Sequence, residues 1–418
     1  MSLNISKNDI KTIFSKDPEI ELKRREESYD LIETLELPKV SKINLNKFNF
    51  EAFNVKYETG QLYDQLSDEL KTYITDEENI VVIKDGNLIY RNLSSNFNST
   101  YIEDFKHAKE NNRELLEQYY MTKAIKPNEN KLTAIHHAFL TSGLLIHVPK
   151  NVVVKDTLKV YIIGERSDLF HHTLLIADES SEFSYVEKLV NINDIKANVI
   201  SETIVNENAK VNYAAIDRFS EDCLAYINRR GHVLANGRLV YALGQLNDGN
   251  TVSENLVNLV GNGAYCESRN VILAEKEQLQ AVTTKIAHHA PHSEGYIINH
   301  GISKDHAKLV IDGIGKIHKG MNQSNAQQDT KVIILSETAR ADANPLLLID
   351  EYDVLAGHAA GIGRVDEEQL YYLMSRGLSR LEAERLIILG FLYPIVDQID
   401  SEQLQNEFIK TIEQKLAM

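Results

Sequence analysis

Hydrophobic and polar positions change their period twice along this chain. From about Leu132, short β-branched and aromatic runs alternate apolar with polar residues, the two-residue period of a strand. Examples are Leu158-Lys-Val-Tyr-Ile-Ile163, Lys210-Val-Asn-Tyr-Ala-Ala-Ile216, Arg238-Leu-Val-Tyr-Ala-Leu243 and Lys308-Leu-Val-Ile-Asp312. Turn pairs punctuate them: Lys155-Asp156, Ser180-Ser181, Glu207-Asn208, Asn236-Gly237 and Asn262-Gly263. They recur roughly every 25 to 29 residues, a period that suggests a solenoid. One short coil cannot bury its own apolar face, so coils stack and share an elongated core. A β-sandwich gives similar turn spacing, but about two hundred residues of strand with scarcely a helical stretch favour the β-helix. Seven prolines in the whole chain suit long ladders, since proline removes a donor.

Both ends carry a different pattern. Asp17 to Leu37 predicts an amphipathic helix with Leu22, Tyr29, Leu31 and Leu35 on its apolar positions, ended by Pro38. Gln61 to Tyr73 and Tyr101 to Ala124 predict two more helices. Between them, Ile80 to Arg91 predicts a hairpin around Asp85-Gly86. After Gly363 the helical period returns. Asp366 can cap a helix carrying Leu370, Tyr371, Leu373 and Met374, stopped by Gly377. Ser379 can cap a second helix through Phe391, and Glu402 to Ala417 predicts a third. Placed after a solenoid, such helices would cap it and block edge pairing, or present a face to a partner. The expected organisation is a mainly β chain: a mostly helical region with a hairpin at 1–125, a β-helix core at 126–363 and a helical domain at 364–418.

Charge and composition narrow the partners. A net charge of −16 over 418 residues opposes binding to nucleic acid or anionic lipid. No run approaches the roughly 18 apolar residues of a membrane span, and the first residues show no apolar signal region. Two cysteines far apart, Cys223 and Cys266, form no disulfide framework and suit a reducing cytoplasm. Both read as buried packing residues.

The chemistry of the chain lies mostly in what is missing. There is no phosphate-binding Gly-x-x-x-x-Gly-Lys loop, and Gly313-Ile-Gly315 and Gly361-Ile-Gly363 lack the third glycine of a dinucleotide loop. Cys-x-x-Cys and Gly-x-Ser-x-Gly motifs are absent. His171-His172 stands out, as does Ala287-His-His-Ala-Pro-His-Ser-Glu294, where Pro291 rules out a regular helix. The latter reads as an exposed or locally hydrogen-bonded histidine turn ahead of a metal site. His300, His306 and His318 read as solvated. His358, in Ala356-Gly-His-Ala-Ala-Gly-Ile-Gly363, is left as one imidazole where a strand-like run gives way to an acidic helix start. Its small neighbours let backbones approach closely, and imidazole is the commonest metal ligand.

With these pieces placed, the chain resembles the SufB/SufD family of SUF-system iron–sulfur cluster assembly proteins. The resemblance rests on Asp17-Pro-Glu with Leu37-Pro38, on Leu132 to Lys150, and above all on the C-terminal block. That block includes Ala326-Gln-Gln, Asn344-Pro-Leu-Leu-Leu-Ile349, Gly357-His-Ala-Ala-Gly361, Asp366 to Gly377 and Gly390-Phe391. It implies a right-handed parallel β-helix between helical ends, and a non-enzymatic subunit with no nucleotide of its own. It implies pairing with a SufB-like scaffold through the β-helix ends. It also implies docking of a SufC-like ABC ATPase on the C-terminal helices, through Tyr371, Tyr372, Arg376, Gly377, Arg385 and Phe391. His358 matches the family histidine proposed to help hold a transient iron–sulfur cluster at the partner junction. Ala356 and Ala359 stand where scaffold-type chains carry cysteine and glutamate, which places the chain nearer the SufD branch. A SufB-like scaffold acting as a homodimer is the nearer alternative. A carbohydrate-active β-helix enzyme is the remote one, since no paired carboxylates stand out across coils.

Overall fold

The computed structural model describes residues 3–57, 60–74, 76, 78–397, 399 and 402–416, without the side chains of 403 and 404. Its centre is a parallel β-solenoid of about eight turns, in which each turn gives one strand to each of two facing sheets. One sheet has ten strands and the other nine. Equivalent residues stack in register: Glu182, Lys210, Arg238 and Tyr265 lie one above another. The repeat runs from 26 residues, between Ala225 and Thr251, to 32, between Lys308 and Arg340.

One corner of the repeat explains four of the five turn pairs; the fifth, Lys155-Asp156, is no turn but lies inside the strand Val153–Gly164, and the corner of that coil is Asn151. Asn151, Ser180, Asn208, Asn236, Gly263, His292 and Gln323 all take positive φ. The N–H of each donates to a carbonyl of the next coil, as from Asn208 to Ala235 and from Asn236 to Asn262. Left-handed backbone favours Gly, Asn and Asp, which is why those residues mark the period.

The inward row of the middle coils is mostly apolar, where Val211, Tyr213 and Ala215 meet Leu239, Tyr241 and Leu243 in one core. Later coils place Asn270, Thr284, Asn299 and Thr330 there, hydrogen-bonded to one another. Outward rows carry buried apolar residues too where a cover lies on the sheet. The helix Glu19–Thr34 and the helix Lys131–Phe139 pack on the outer face of the nine-stranded sheet, where Phe53, Phe139 and Phe170 meet edge to face or tilted. Two C-terminal helices, Arg380–Val396 and Glu402–Leu416, cover the outer face of the ten-stranded sheet. There Ile388, Leu392, Phe408 and Ile412 bury Ala214, Ile216, Val271 and Leu273. Lys188 Nζ anchors this cover by donating to Asp76 (2.5 Å) and Glu407 (2.7 Å). Lys415 Nζ donates to the carbonyls of Leu246 and Asn247.

Several expectations change. The helices Arg380–Val396 and Glu402–Leu416 lie along the solenoid's flank and do not cap its end. Gln61–Tyr73 forms only one helical turn, Asp68–Lys71. Tyr101–Ala124 is not one helix. Tyr101–Asp104 pairs as a strand with Ser142–Val148, and the helices Phe105–Asn111 and Arg113–Tyr119 meet at Asn112, which serves both as a cap. The hairpin forms as Ile80–Lys84 and Asn87–Asn92, and its first strand also joins the solenoid beside Val153–Gly164. The helix from Glu402 runs to Leu416; Ala417 lies outside the described residues.

Candidate functional site

The last coil is built from the strands Arg340–Ile349 and Leu355–Arg364. Among the described residues neither has a neighbour on its far side: they end the nine- and ten-stranded sheets. Leu346, Leu348 and Ile362 are exposed there, with Leu355 at 68 %. A sheet edge presents unpaired N–H and C=O groups and is a template for another strand.

His358 is the fourth residue of this terminal strand, not a corner residue, because the strand runs on to Arg364 before the helix Glu367–Ser375 begins. In register it stacks on Gln328, with Ala356 over Ala326 and Ala360 over Thr330. Those positions face the core in earlier coils, so His358 sits on the inward row of a coil that nothing covers. Gln328 Nε2 donates to the carbonyl of Leu346 (2.8 Å), while its Oε1 is buried without a partner. Gly361 and Gly363 would give an added Cβ nothing to meet within 4 Å. The close approach expected of these glycines is therefore not made within the chain.

The ATPase-docking candidates spread over a surface and a seam. Tyr371 is 76 % exposed, and Tyr372 is also exposed with the Arg376 guanidinium 5.2 Å from its ring centre. Gly377 ends their helix with φ +99°, a conformation suited to glycine. Arg385 pairs with Glu413 at 2.7 Å. Phe391 turns inward: its ring stacks on His300 at 4.4 Å, and His300 Nδ1 donates to its carbonyl at 2.8 Å. His300 is thus buried between helix and sheet, contrary to the solvated reading. Burial holds its imidazole below the ordinary histidine range.

Other histidines separate by face. His171 points into the solenoid core, where its ring meets Ser142 Oγ at 2.6 Å and Thr173 Oγ1 at 3.0 Å. His172 points outward, under the N-terminal cover. It joins a wholly buried chain: Asn198 Oδ1 to His136 (3.1 Å), His136 to His172 (3.1 Å), His172 to Glu202 (3.1 Å). Burial lowers the His172 imidazole to about 3 and raises the Glu202 carboxyl to about 8, despite the N–H that Met121 donates to it. In the other histidine turn, His288 is buried against Ser293, and His289 stacks on His318 at 4.4 Å. Among the described residues no group of three His, Cys, Asp or Glu side chains could hold a metal ion. Cys223 and Cys266 are buried, and burial pushes both thiols well up.

The sequence reading missed an ion triad inside the solenoid. Arg229, fully buried, donates to Asp217 (2.6 and 3.1 Å) and Glu187 (2.9 Å) across the two sheets. Its one sequence signal is charge on strands whose neighbours are apolar.

Comparison with known proteins agrees with this architecture. Residues 161–391 match the family described as SUF system FeS cluster assembly, SufBD core domain, and residues 76–160 match the SufBD protein N-terminal region. The chain is 41 % identical over 408 residues to the iron-sulfur cluster assembly protein SufD of Bacillus subtilis, covering 94 % of this chain and 93 % of that one. It is 31 % identical over 339 residues to an iron-sulfur cluster assembly SufBD family protein of Staphylococcus saprophyticus, covering 78 % and 72 %. A Staphylococcus epidermidis SufBD family protein is 30 % identical over 339 residues. With a solenoid under both family regions and near full-length identity to a SufD, the chain belongs to the SufBD family of iron–sulfur cluster assembly proteins, as a member of SufD type.

Proposed function

We propose that the chain is a non-enzymatic subunit that completes its solenoid against a SufB-like scaffold. The observation that carries this reading is the unpaired strand Leu355–Arg364, with an exposed inward row and two glycines facing open space. A second solenoid end abutting it would continue the ten-stranded sheet and bury Leu355 and Ile362. His358 would then lie at the junction and donate one imidazole nitrogen to iron of a nascent cluster, which is cargo here. Ala356 and Ala360 beside it offer no ligand, so the partner supplies the thiolates that hold most such clusters. This fits a chain whose own thiols are buried and which works in the cytoplasm.

The exposed rings of Tyr371 and Tyr372, with Arg376 and Arg385, form the docking face for a SufC-like ABC ATPase. Gly377 sets the turn between the two helices of that face, and Phe391 locks the second helix onto the solenoid. The same open edge supports a homodimer when the chain is isolated, since like edges of two copies can meet.

The test is reconstitution with a SufB-like scaffold and a SufC-like ATPase. Mass measurement should give a mixed complex, and His358→Ala should leave the complex intact while lowering cluster yield at least tenfold. Unchanged yield would remove the ligand role. Failure to form the complex at all, with the unaltered chain folded, would remove the pairing itself.

A further inference from the structure

A cleft of about 390 Å³ lies in the N-terminal cover, far in sequence from the open end. Its walls are the helices Glu19–Thr34, Phe105–Asn111 and Arg113–Tyr119. Its size falls within the range of small-molecule sites.

The floor is aromatic. Tyr120 stacks on His137 with ring centres 5.5 Å apart and 25° between planes, and Phe105 meets Tyr120 edge to face at 5.2 Å. Leu116 and Leu140 complete the apolar surface. His137 Nδ1 is held by Ser28 Oγ at 2.7 Å. Burial, with Arg25 next, lowers this imidazole to about 3, so it is neutral. Its Nε2 and the Tyr120 hydroxyl have no hydrogen-bond partner among the described residues.

The rim is cationic. Six basic and four acidic side chains line the cleft, an excess of two positive charges in a chain of net charge −16. Local pairing accounts for most of them: Arg25 with Asp17 at 2.9 Å, Arg24 and Lys109 with Glu21, and Arg113 with Glu117. Lys16 and Lys106 account for the excess, as neither forms an ion pair among the described residues. Lys106 is half-buried, its ammonium 5.1 Å from the Tyr57 ring centre and 3.4 Å from Asn87 Oδ1. Burial holds it below the usual lysine range. Asp104 and Asp17 attract it without forming a direct ion pair, and a partly desolvated ammonium with no carboxylate in contact is a place where an arriving anion gains more than it would in water.

An aromatic floor with a free hydroxyl and a free ring nitrogen, under two unpaired ammonium groups, selects a ligand with both characters. We propose that this cleft binds a small planar aromatic anion, a ring carrying a phosphate or carboxylate. The ring lies on Tyr120, Phe105 and the two leucines. The anion sits between Lys16 and Lys106. Neither half alone uses the whole site, so affinity requires their combination.

The experiment titrates the full chain with 1-naphthyl phosphate and follows naphthyl fluorescence anisotropy. The chain has no tryptophan to interfere. Saturable one-to-one binding is expected, with 1-naphthol and inorganic phosphate each at least tenfold weaker. A parallel titration with 1-naphthoate tells a carboxylate site from a phosphate site, and either one satisfies the proposal. The double variant K16E/K106E should weaken binding at least tenfold with an unchanged circular dichroism spectrum and melting point. If that variant does not fold, Lys106→Gln alone should weaken binding at least threefold. Absence of saturable binding, equal binding of inorganic phosphate alone, or full binding by a folded lysine variant would overturn the proposal.

Discussion

At the N-terminal end of the solenoid, the strand Ile80–Lys84 lies parallel to Val153–Gly164 and its chain turns straight back as Asn87–Asn92. The companion sheet ends just as abruptly, on the four-residue antiparallel strand Tyr101–Asp104. At the C-terminal end, Arg340–Ile349 and Leu355–Arg364 simply stop, without a reversal or a covering helix among the described residues. The repeat is the same at both ends, but its finish differs. Reversing and shortening the last strand spoils it as a template for another chain, while a ten-residue parallel strand left bare preserves it. The difference teaches that the C-terminal edge is open by construction. The 54 residues that follow Arg364 include the helices Arg380–Val396 and Glu402–Leu416, which lie on the flank.

The comparison can be broken most sharply with one residue type at the two ends. Ile83 and Ile362 both lie on inward rows of the ten-stranded sheet, one against Ile162 and the other against Val332. Ile83 is 1 % exposed and Ile362 43 %. Ile83→Ala should cost about 2–5 kcal/mol in urea unfolding, through lost burial and a residual cavity. Ile362→Ala in the isolated chain should stay within about 0.5 kcal/mol. Equal costs would mean that the C-terminal coil is covered in solution.

The covered half also holds the buried titratable chain, so pH should act there first. The Glu202 carboxyl titrates near 8 when folded and in the ordinary carboxylate range when unfolded. Between those values the folded state holds a proton that the unfolded state has lost. Stability is therefore greatest at the acid side of that window and falls as pH rises through 8. The slope is at most about 1.4 kcal/mol per pH unit. His172 and His137, lowered to about 3, act in the opposite sense. Their effect is confined to pH below the ordinary histidine range, so it leaves the interval from pH 6.5 to 8 to Glu202. Urea unfolding across that interval should lose about 2 kcal/mol, and Glu202→Gln should flatten the curve. An unchanged slope in the variant would place the titration elsewhere.

How far the sequence could anticipate this follows from where each signal is local. The coil corner was legible where left-handed backbone took Asn, Gly or Ser, at Ser180, Asn208, Asn236 and Gly263, and not where it took His292 or Gln323. The hairpin was legible from Asp85-Gly86, where both residues take positive φ. Tyr101–Ala124 was misread because helical periodicity carries no mark of a strand partner forty residues away. Ser142–Val148 recruits Tyr101–Asp104, and that pairing is tertiary. His300 was misread for a related reason: its cover, the helix Arg380–Val396, is ninety residues distant. His171 and His172 show the limit from the other side. Alternation places adjacent residues on opposite faces, but only the cover shows that the outward one is buried as well. For the candidate site, the identity of His358 was legible and its place on an uncovered inward row was not. That depends on where the last helices lie.

The smallest effect tests the edge itself. Leu355 N–H donates to Ser324, so its side of the strand bonds inward. In a parallel ladder alternate residues bond to opposite neighbours. Gly357, Ala359 and Gly361 therefore share the inward side, while the N–H groups of Ala356, His358, Ala360 and Ile362 point to the open edge. Proline removes one N–H and is tolerated on an edge strand when that group faces out. Ala360→Pro should thus leave the isolated chain's melting point nearly unchanged and weaken association with a SufB-like partner at least tenfold, about 1.4 kcal/mol. Ala359→Pro, one residue earlier, removes an inward donor and should lower the melting point instead. If both variants associate like the unaltered chain, the partner does not use this strand's backbone, and the contrast between the two ends reflects something other than assembly.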